Sequence, residues 1–130
     1  MKDSQFPLLQ TCIDCKFAKA KYYWIKYNSE WHLFEANEDR TRYRNHELNV
    51  DIRYEGVSIE AYAAPMAWEL TQRILPQIIE FDDYDYELEE NENYVFYAHG
   101  RHIMQKESIF KYNRAEAFAR LYLKIKNLMP

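Results

Sequence analysis

The chain has 130 residues, 48% of them hydrophobic and 29% charged, with a formal net charge of −4, the size and mix of a single domain with one hydrophobic core. With Gly 2 and Pro 4 there is no glycine-rich loop to cradle phosphates, which excludes the dinucleotide and P-loop classes of nucleotide enzyme. No stretch approaches the ~18 apolar residues of a membrane span, no basic-then-apolar leader opens the chain, and two cysteines make no disulfide framework, so the sequence reads as cytoplasmic with no membrane partner.

Near the start, Thr11 can cap a short helix over residues 12–20. Next come Tyr22-Tyr23-Trp24-Ile25-Lys26-Tyr27 and Glu30-Trp31-His32-Leu33-Phe34-Glu35, two β-favouring runs around the polar pair Asn28-Ser29. That is the pattern of a hairpin. Residues 37–49 are polar without an apolar period and read as a loop with at most one helical turn. Val50, Ile52 and Tyr54 alternate with charged residues, and after Gly56 the alternation resumes at Val57, Ile59 and Ala61, which predicts a second hairpin.

A helix is expected over residues 65–79, with proline tolerated in its first turn and Pro76 kinking it or ending it near Leu75. On a 100° wheel Ala67, Trp68, Leu70, Ile74, Leu75, Ile78 and Ile79 make a broad apolar arc, and Glu69, Arg73, Gln77 and Glu80 fall on the remainder. Residues 81–90 and Tyr94-Val95-Phe96-Tyr97-Ala98 predict a third hairpin, and the His99-Gly100 turn allows one more strand over 101–106. Asn113, with Glu116 three residues on, caps a last helix whose stripe is Phe118, Leu121, Tyr122, Ile125 and Leu128. The fold class is therefore α+β: an antiparallel sheet built from hairpins with two amphipathic helices packed on one face.

Charge is unevenly spread. Between Arg73 and Arg101 stand eight acids and no lysine or arginine, leaving 13 acids against 17 bases elsewhere. Like charges at that density repel. Solvated edge strands carry charge to block aggregation, which is the plain structural reading. The functional reading notes the tyrosines among the carboxylates, since tyrosine anchors interfaces at little entropic cost. It assigns partner binding to Asp82, Asp83, Tyr84, Asp85, Tyr86, Glu87, Glu89, Glu90, Glu92 and Tyr94. The partner it implies is a basic, nucleic-acid-binding protein whose cationic groove accepts carboxylates in place of phosphates, so that the chain acts as an inhibitor by nucleic-acid mimicry.

Other constellations carry less. Arg40, Arg42, Arg44 and Arg53 lie near Tyr22, Tyr23, Trp24 and Tyr43, a mixture that can grip phosphates and stack bases, yet the sequence pI of about 5.6 disfavours direct nucleic-acid binding. Cys12-x-x-Cys15 matches His99-x-x-His102 in spacing, and the four could hold a structural zinc in a small regulatory module. The cysteine loop lacks the usual glycine, however, so the thiols read as small buried apolar groups and no cofactor is expected. None of the four histidines sits in a catalytic motif, and no enzymatic activity is expected; an enzyme of unrecognised type is the remaining alternative.

Overall fold

The computed structural model describes residues 5–53, 59–79, 86–99, 102–109 and 113–128, and for residues 79, 86, 99, 102–104 and 128 the backbone alone. Its elements in chain order are α1 (Leu9–Cys15), β1 (Tyr22–Tyr27), β2 (Glu30–Ala36), β3 (Arg42–Asn45), β4 (Val50–Arg53), β5 (Ala61–Ala63), a helix α2 over residues 67–79, β6 (Tyr86–Glu90), β7 (Tyr94–His99), β8 (His102–Ser108) and α3 (Arg114–Leu128). The strands form two antiparallel sheets, ordered β4-β3-β2-β1-β5 and β6-β7-β8. The class is α+β; the described residues form two sheets and three helices, where one sheet with two amphipathic helices on one face was expected.

The first hairpin forms as its sequence predicts, with Tyr27 opposite Glu30 across the Asn28-Ser29 turn. Both turn residues have positive φ, 50° and 68°, the geometry that matches a tight turn to the twist of its strands. The second hairpin is paired differently. β4 lies against β3, with Tyr43 opposite Ile52, while β5 lies against β1, with Trp24 opposite Tyr62.

β3 falls inside the segment read as a loop, because it has no apolar alternation to find. One inward ring holds it: Tyr43 packs edge-on to Tyr23, with centroids 5.5 Å apart. Buried Asn45 adds an anchor by donating Nδ2 to the Leu33 carbonyl and accepting the Leu48 N–H at Oδ1. The preceding turn closes on Asn37, whose Oδ1 accepts the N–H groups of Thr41 and Arg42.

Helix α2 passes through Pro76. It comprises an α turn Ala67–Glu69, a π-helical stretch Leu70–Ile74 and an α turn Leu75–Ile79. The N–H of Leu75 reaches back five residues to the carbonyl of Leu70. A π turn widens the backbone just ahead of the proline ring, which removes the clash and the missing bond that would end an ordinary helix there. The extra residue also rotates the first turn off the 100° wheel. Trp68, expected in the apolar arc, is exposed under the Arg73 guanidinium at 4.8 Å, and Glu69, expected in water, is 4% exposed. Its carboxylate accepts the backbone N–H groups of Met66 and Lys21, each at 3.1 Å.

The main core gathers Tyr23, Ile25 and Phe34 from one sheet, Val95 and Tyr97 from the other, Leu70 and Leu75 from α2, and Phe118, Leu121, Tyr122 and Ile125 from α3. The opposite face of the five-stranded sheet carries a second cluster, in which Phe6, Cys12 and Ala64 cover Tyr22, Trp24 and Leu33. One buried carboxylate joins the two ends of the chain. Glu116, expected to complete the cap of α3, instead accepts the Leu8 N–H at 2.8 Å, the Thr11 hydroxyl at 2.7 Å and Arg120 Nε at 2.6 Å. Asn113 caps α3 by accepting the Glu116 N–H and donates to the Phe6 carbonyl. Helix α1 begins at Leu9 rather than after Thr11, and Lys16 ends it in the left-handed region.

Candidate functional site

The described carboxylates of the acidic segment fall on two sides of a strand. Glu80, Asp82, Asp83, Tyr84 and Asp85 lie outside the described residues, as does the side chain of Tyr86. On β6 the faces alternate. Leu88 packs on the core, and Glu90, on the same side, receives two bonds from Arg114, Nε to Oε2 at 2.8 Å and a terminal nitrogen to Oε1 at 2.5 Å. That guanidinium holds the Glu90 carboxyl below the usual carboxylate range, and Glu90 in turn raises Arg114. Glu90 is thus paired within the chain, with its side chain 38% exposed.

Glu87 and Glu89 point the other way and are exposed. Register places Ala98 opposite Glu87 and Phe96 opposite Glu89, with Lys106 next to Phe96 on β8. Tyr94, 37% exposed, lies 6.1 Å from the Phe96 ring, and the Lys106 ammonium stands 4.9 Å over its face. The intervening turn is fixed by Asn91, whose Oδ1 accepts the N–H groups of Asn93 and Tyr94 at 2.8 Å each, leaving Glu92 exposed. Tyr97 faces inward and is buried. Sequence reading missed Phe96 and Lys106 as members of this face. The signal was present in the period-two alternation through Tyr94, because side chains two apart share a face.

Cys12 and Cys15 are free thiols in two different clusters, Cys12 in the N-terminal one and Cys15 in the main core. Cys12 Sγ contacts the Pro7 carbonyl at 3.8 Å, and Cys15 Sγ contacts the Ala119 carbonyl at 3.5 Å. Burial raises both thiols, Cys15 to about 12, so the thiolate that metal ligation and redox chemistry require is disfavoured. His99 and His102 are paired residues of β7 and β8 whose side chains fall outside the description. Among the described residues no group of three His, Cys, Asp or Glu is arranged to hold a metal ion.

The basic and aromatic residues of the first sheet separate as well. Tyr22, Tyr23 and Trp24 are buried, so their rings are packing and offer no platform for bases. Arg42 stands opposite Arg53, while Arg44 donates to Asp51 at 3.0 Å and to Asn49 at 2.7 Å. Beyond Arg44 a cleft of about 230 Å³ opens over β1, β2 and the end of β3, with Trp24, Trp31, Leu33, Glu35, His46 and Glu47 in its lining. Within it Glu35 Oε2 accepts the Tyr22 hydroxyl at 3.3 Å and lies 3.8 Å from His46 Nε2. Burial, with Glu35 beside it, raises the Tyr22 phenol, which therefore stays protonated and able to donate. No sequence motif marked this cleft, since its lining joins residues of β1 and β2 to Asn45 of β3 and to His46 and Glu47 just beyond it.

No helix among the described residues is long and apolar enough to cross a membrane. No protein-family model matches the chain, and neither a curated protein nor a solved structure matches it.

Proposed function

We propose that the chain is a binding protein, and that the outward face of the β6-β7-β8 sheet docks on the cationic surface of a nucleic-acid-binding protein and competes there with nucleic acid. The observation that carries this reading is the register: Glu87 and Glu89 are fixed on a strand beside Phe96 and the exposed ring of Tyr94. Carboxylates on a paired strand meet a partner without the ordering cost of a loose loop, and the exposed Tyr94 ring beside half-buried Phe96 supplies area to bury. Among the described residues Glu87, Glu89 and Glu92 are exposed here with Lys106 beside them, so the face keeps a negative balance suited to a basic partner.

The test uses purified chain on a support, challenged with the heparin-retained proteins of a cell extract at low and high salt, with duplex DNA as competitor. Expected are retained proteins that bind nucleic acid, release as salt rises and are displaced by DNA. The pair Glu87→Lys and Glu89→Lys should abolish that retention. Equal retention by the charge-reversed protein, or retention indifferent to both salt and DNA, overturns the reading.

A further inference from the structure

The cleft over β1, β2 and β3 is independent of the face just discussed, lying on the other sheet. Its polar groups are largely committed. Trp24 Nε1 donates to the Pro7 carbonyl at 3.0 Å, and both ends of the Asn45 amide are bound to backbone. The His46 ring is set by Arg44, whose Nε donates to Nδ1 at 3.3 Å; the ring proton then sits on Nε2, on the side of Glu35. Arg44 is itself tied to Asp51 and Asn49, so its charge is answered away from the cleft.

What remains is a carboxylate among rings. Glu35 spends Oε2 on Tyr22 and His46, whereas Oε1 has no hydrogen-bond partner among the described residues, and the side chain is 36% exposed. Glu47 also lines the cleft, and among the described residues the lining contains no lysine or arginine. Trp31, tilted 43° against Tyr62 with centroids 5.8 Å apart, is half-buried in the same lining. A carboxylate held by a buried phenol next to an indole is complementary to a hydrogen-bonding cation with an apolar stem. The rings of Trp24 and Trp31 and the Leu33 side chain in the lining suit an organic cation with an apolar stem. The volume, about 230 Å³, is below the ~300 Å³ at which pockets for drug-sized molecules begin, so the ligand is small.

We infer that this cleft is a binding site for an alkylammonium or alkylguanidinium group, held by Glu35 Oε1 against Trp31. Such a group comes either from a free amine or from a lysine or arginine side chain of another protein. Titration of tryptophan fluorescence at low salt separates the two, with n-butylamine and butylguanidine as free probes and capped tripeptides with a central lysine or arginine as the alternative. Saturable binding of the free probes alone assigns a small-molecule amine, and tighter binding of the peptides assigns a side chain; either supports the site.

Glu35→Gln preserves volume and can still accept the Tyr22 hydroxyl, and it should weaken binding about tenfold through loss of one charge-assisted bond. Glu47→Gln, on an exposed residue, serves as the second variant and should weaken binding severalfold through lost charge. Neutral n-pentanol should not compete. The inference is overturned if pentanol competes as well as the amine, if folded Glu35→Gln and Glu47→Gln both bind like the parent, or if neither probe class binds saturably.

Discussion

Replacing Glu116 should release the N-terminal segment from the rest of the molecule. Its side chain is fully buried and accepts three hydrogen bonds, from Leu8 N–H, Thr11 Oγ1 and Arg120 Nε. Bonds to a charged group are each worth roughly 1.5–3 kcal/mol, so three would nominally sum to several times the cost of a typical substitution. Two effects reduce that total. Arg120 is 36% exposed, so water can take up the position of the lost carboxylate, and removing the carboxylate also removes the cost of having buried it. Glu116→Ala should therefore destabilise by about 3–5 kcal/mol, the range for breaking a buried charged pair. Glu116→Gln, which keeps one acceptor for Thr11, should destabilise by about half as much.

Urea unfolding gives the magnitude, and hydrogen exchange gives the location. In Glu116→Ala the amides of Cys12 and Lys16, which bond to Leu8 and Cys12, should lose protection before those of β1 and β2. Tryptophan emission should shift to the red as the Pro7 carbonyl leaves Trp24 Nε1. A loss below about 1 kcal/mol with those amides still protected would show that apolar packing of Phe6 and Cys12 holds the segment unaided, and the reasoning would fail.

Three further outcomes follow from local physics. Ser29 sits at φ 68°, a region that costs a non-glycine residue roughly 1–2 kcal/mol, so Ser29→Gly should raise stability by about 0.5–1 kcal/mol in urea titrations; a loss would show that the hydroxyl matters more than the backbone. Because Glu90 has its carboxyl lowered by Arg114, its contribution is complete above the unfolded value of ~4.3 and disappears as pH falls through the lowered folded value. Both side chains are more than a third exposed, so Arg114→Met should lower stability by no more than about 1 kcal/mol at pH 7 and by less at pH 3. With Cys15 pushed up to about 12, roughly one thiol in ten thousand is ionised at pH 8, so a disulfide reagent should label neither cysteine until denaturant is added; rapid labelling of the folded chain would contradict the burial.

The local elements were legible in the residues because their signals are local. The β-favouring runs on either side of Asn28-Ser29 specified β1 and β2, the run from Tyr94 specified β7, and the Asn113 cap with its apolar stripe specified α3. Strand partners were not legible. β4 and β5 read as one hairpin, yet β3 and β1 take them, because a strand pairs with whichever edge is brought beside it and β3 shows only one inward ring to announce itself. The acidic segment likewise looked like a single array when written as a line. Folding sorts it by the two-residue period of the strand, sending Glu90 to Arg114 on α3 and Glu87 and Glu89 to the outer face.

Composition carried one more determination. With glycine nearly absent, five other residues, Lys16, Asn28, Ser29, Arg40 and Asn49, adopt the left-handed conformation among the described ones, at a cost that local hydrogen bonds and packing offset. Sequence by itself determined the α+β class, the turn at Asn28-Ser29 and the capped helix after Asn113, since each depends on residues within a few positions of one another. Tertiary structure alone decided the split into two sheets, the burial of Glu69 and Glu116, and the Glu35 cleft. Those depend on groups such as Leu8 and Glu116, which are far apart along the chain and meet only when long-range packing has been satisfied.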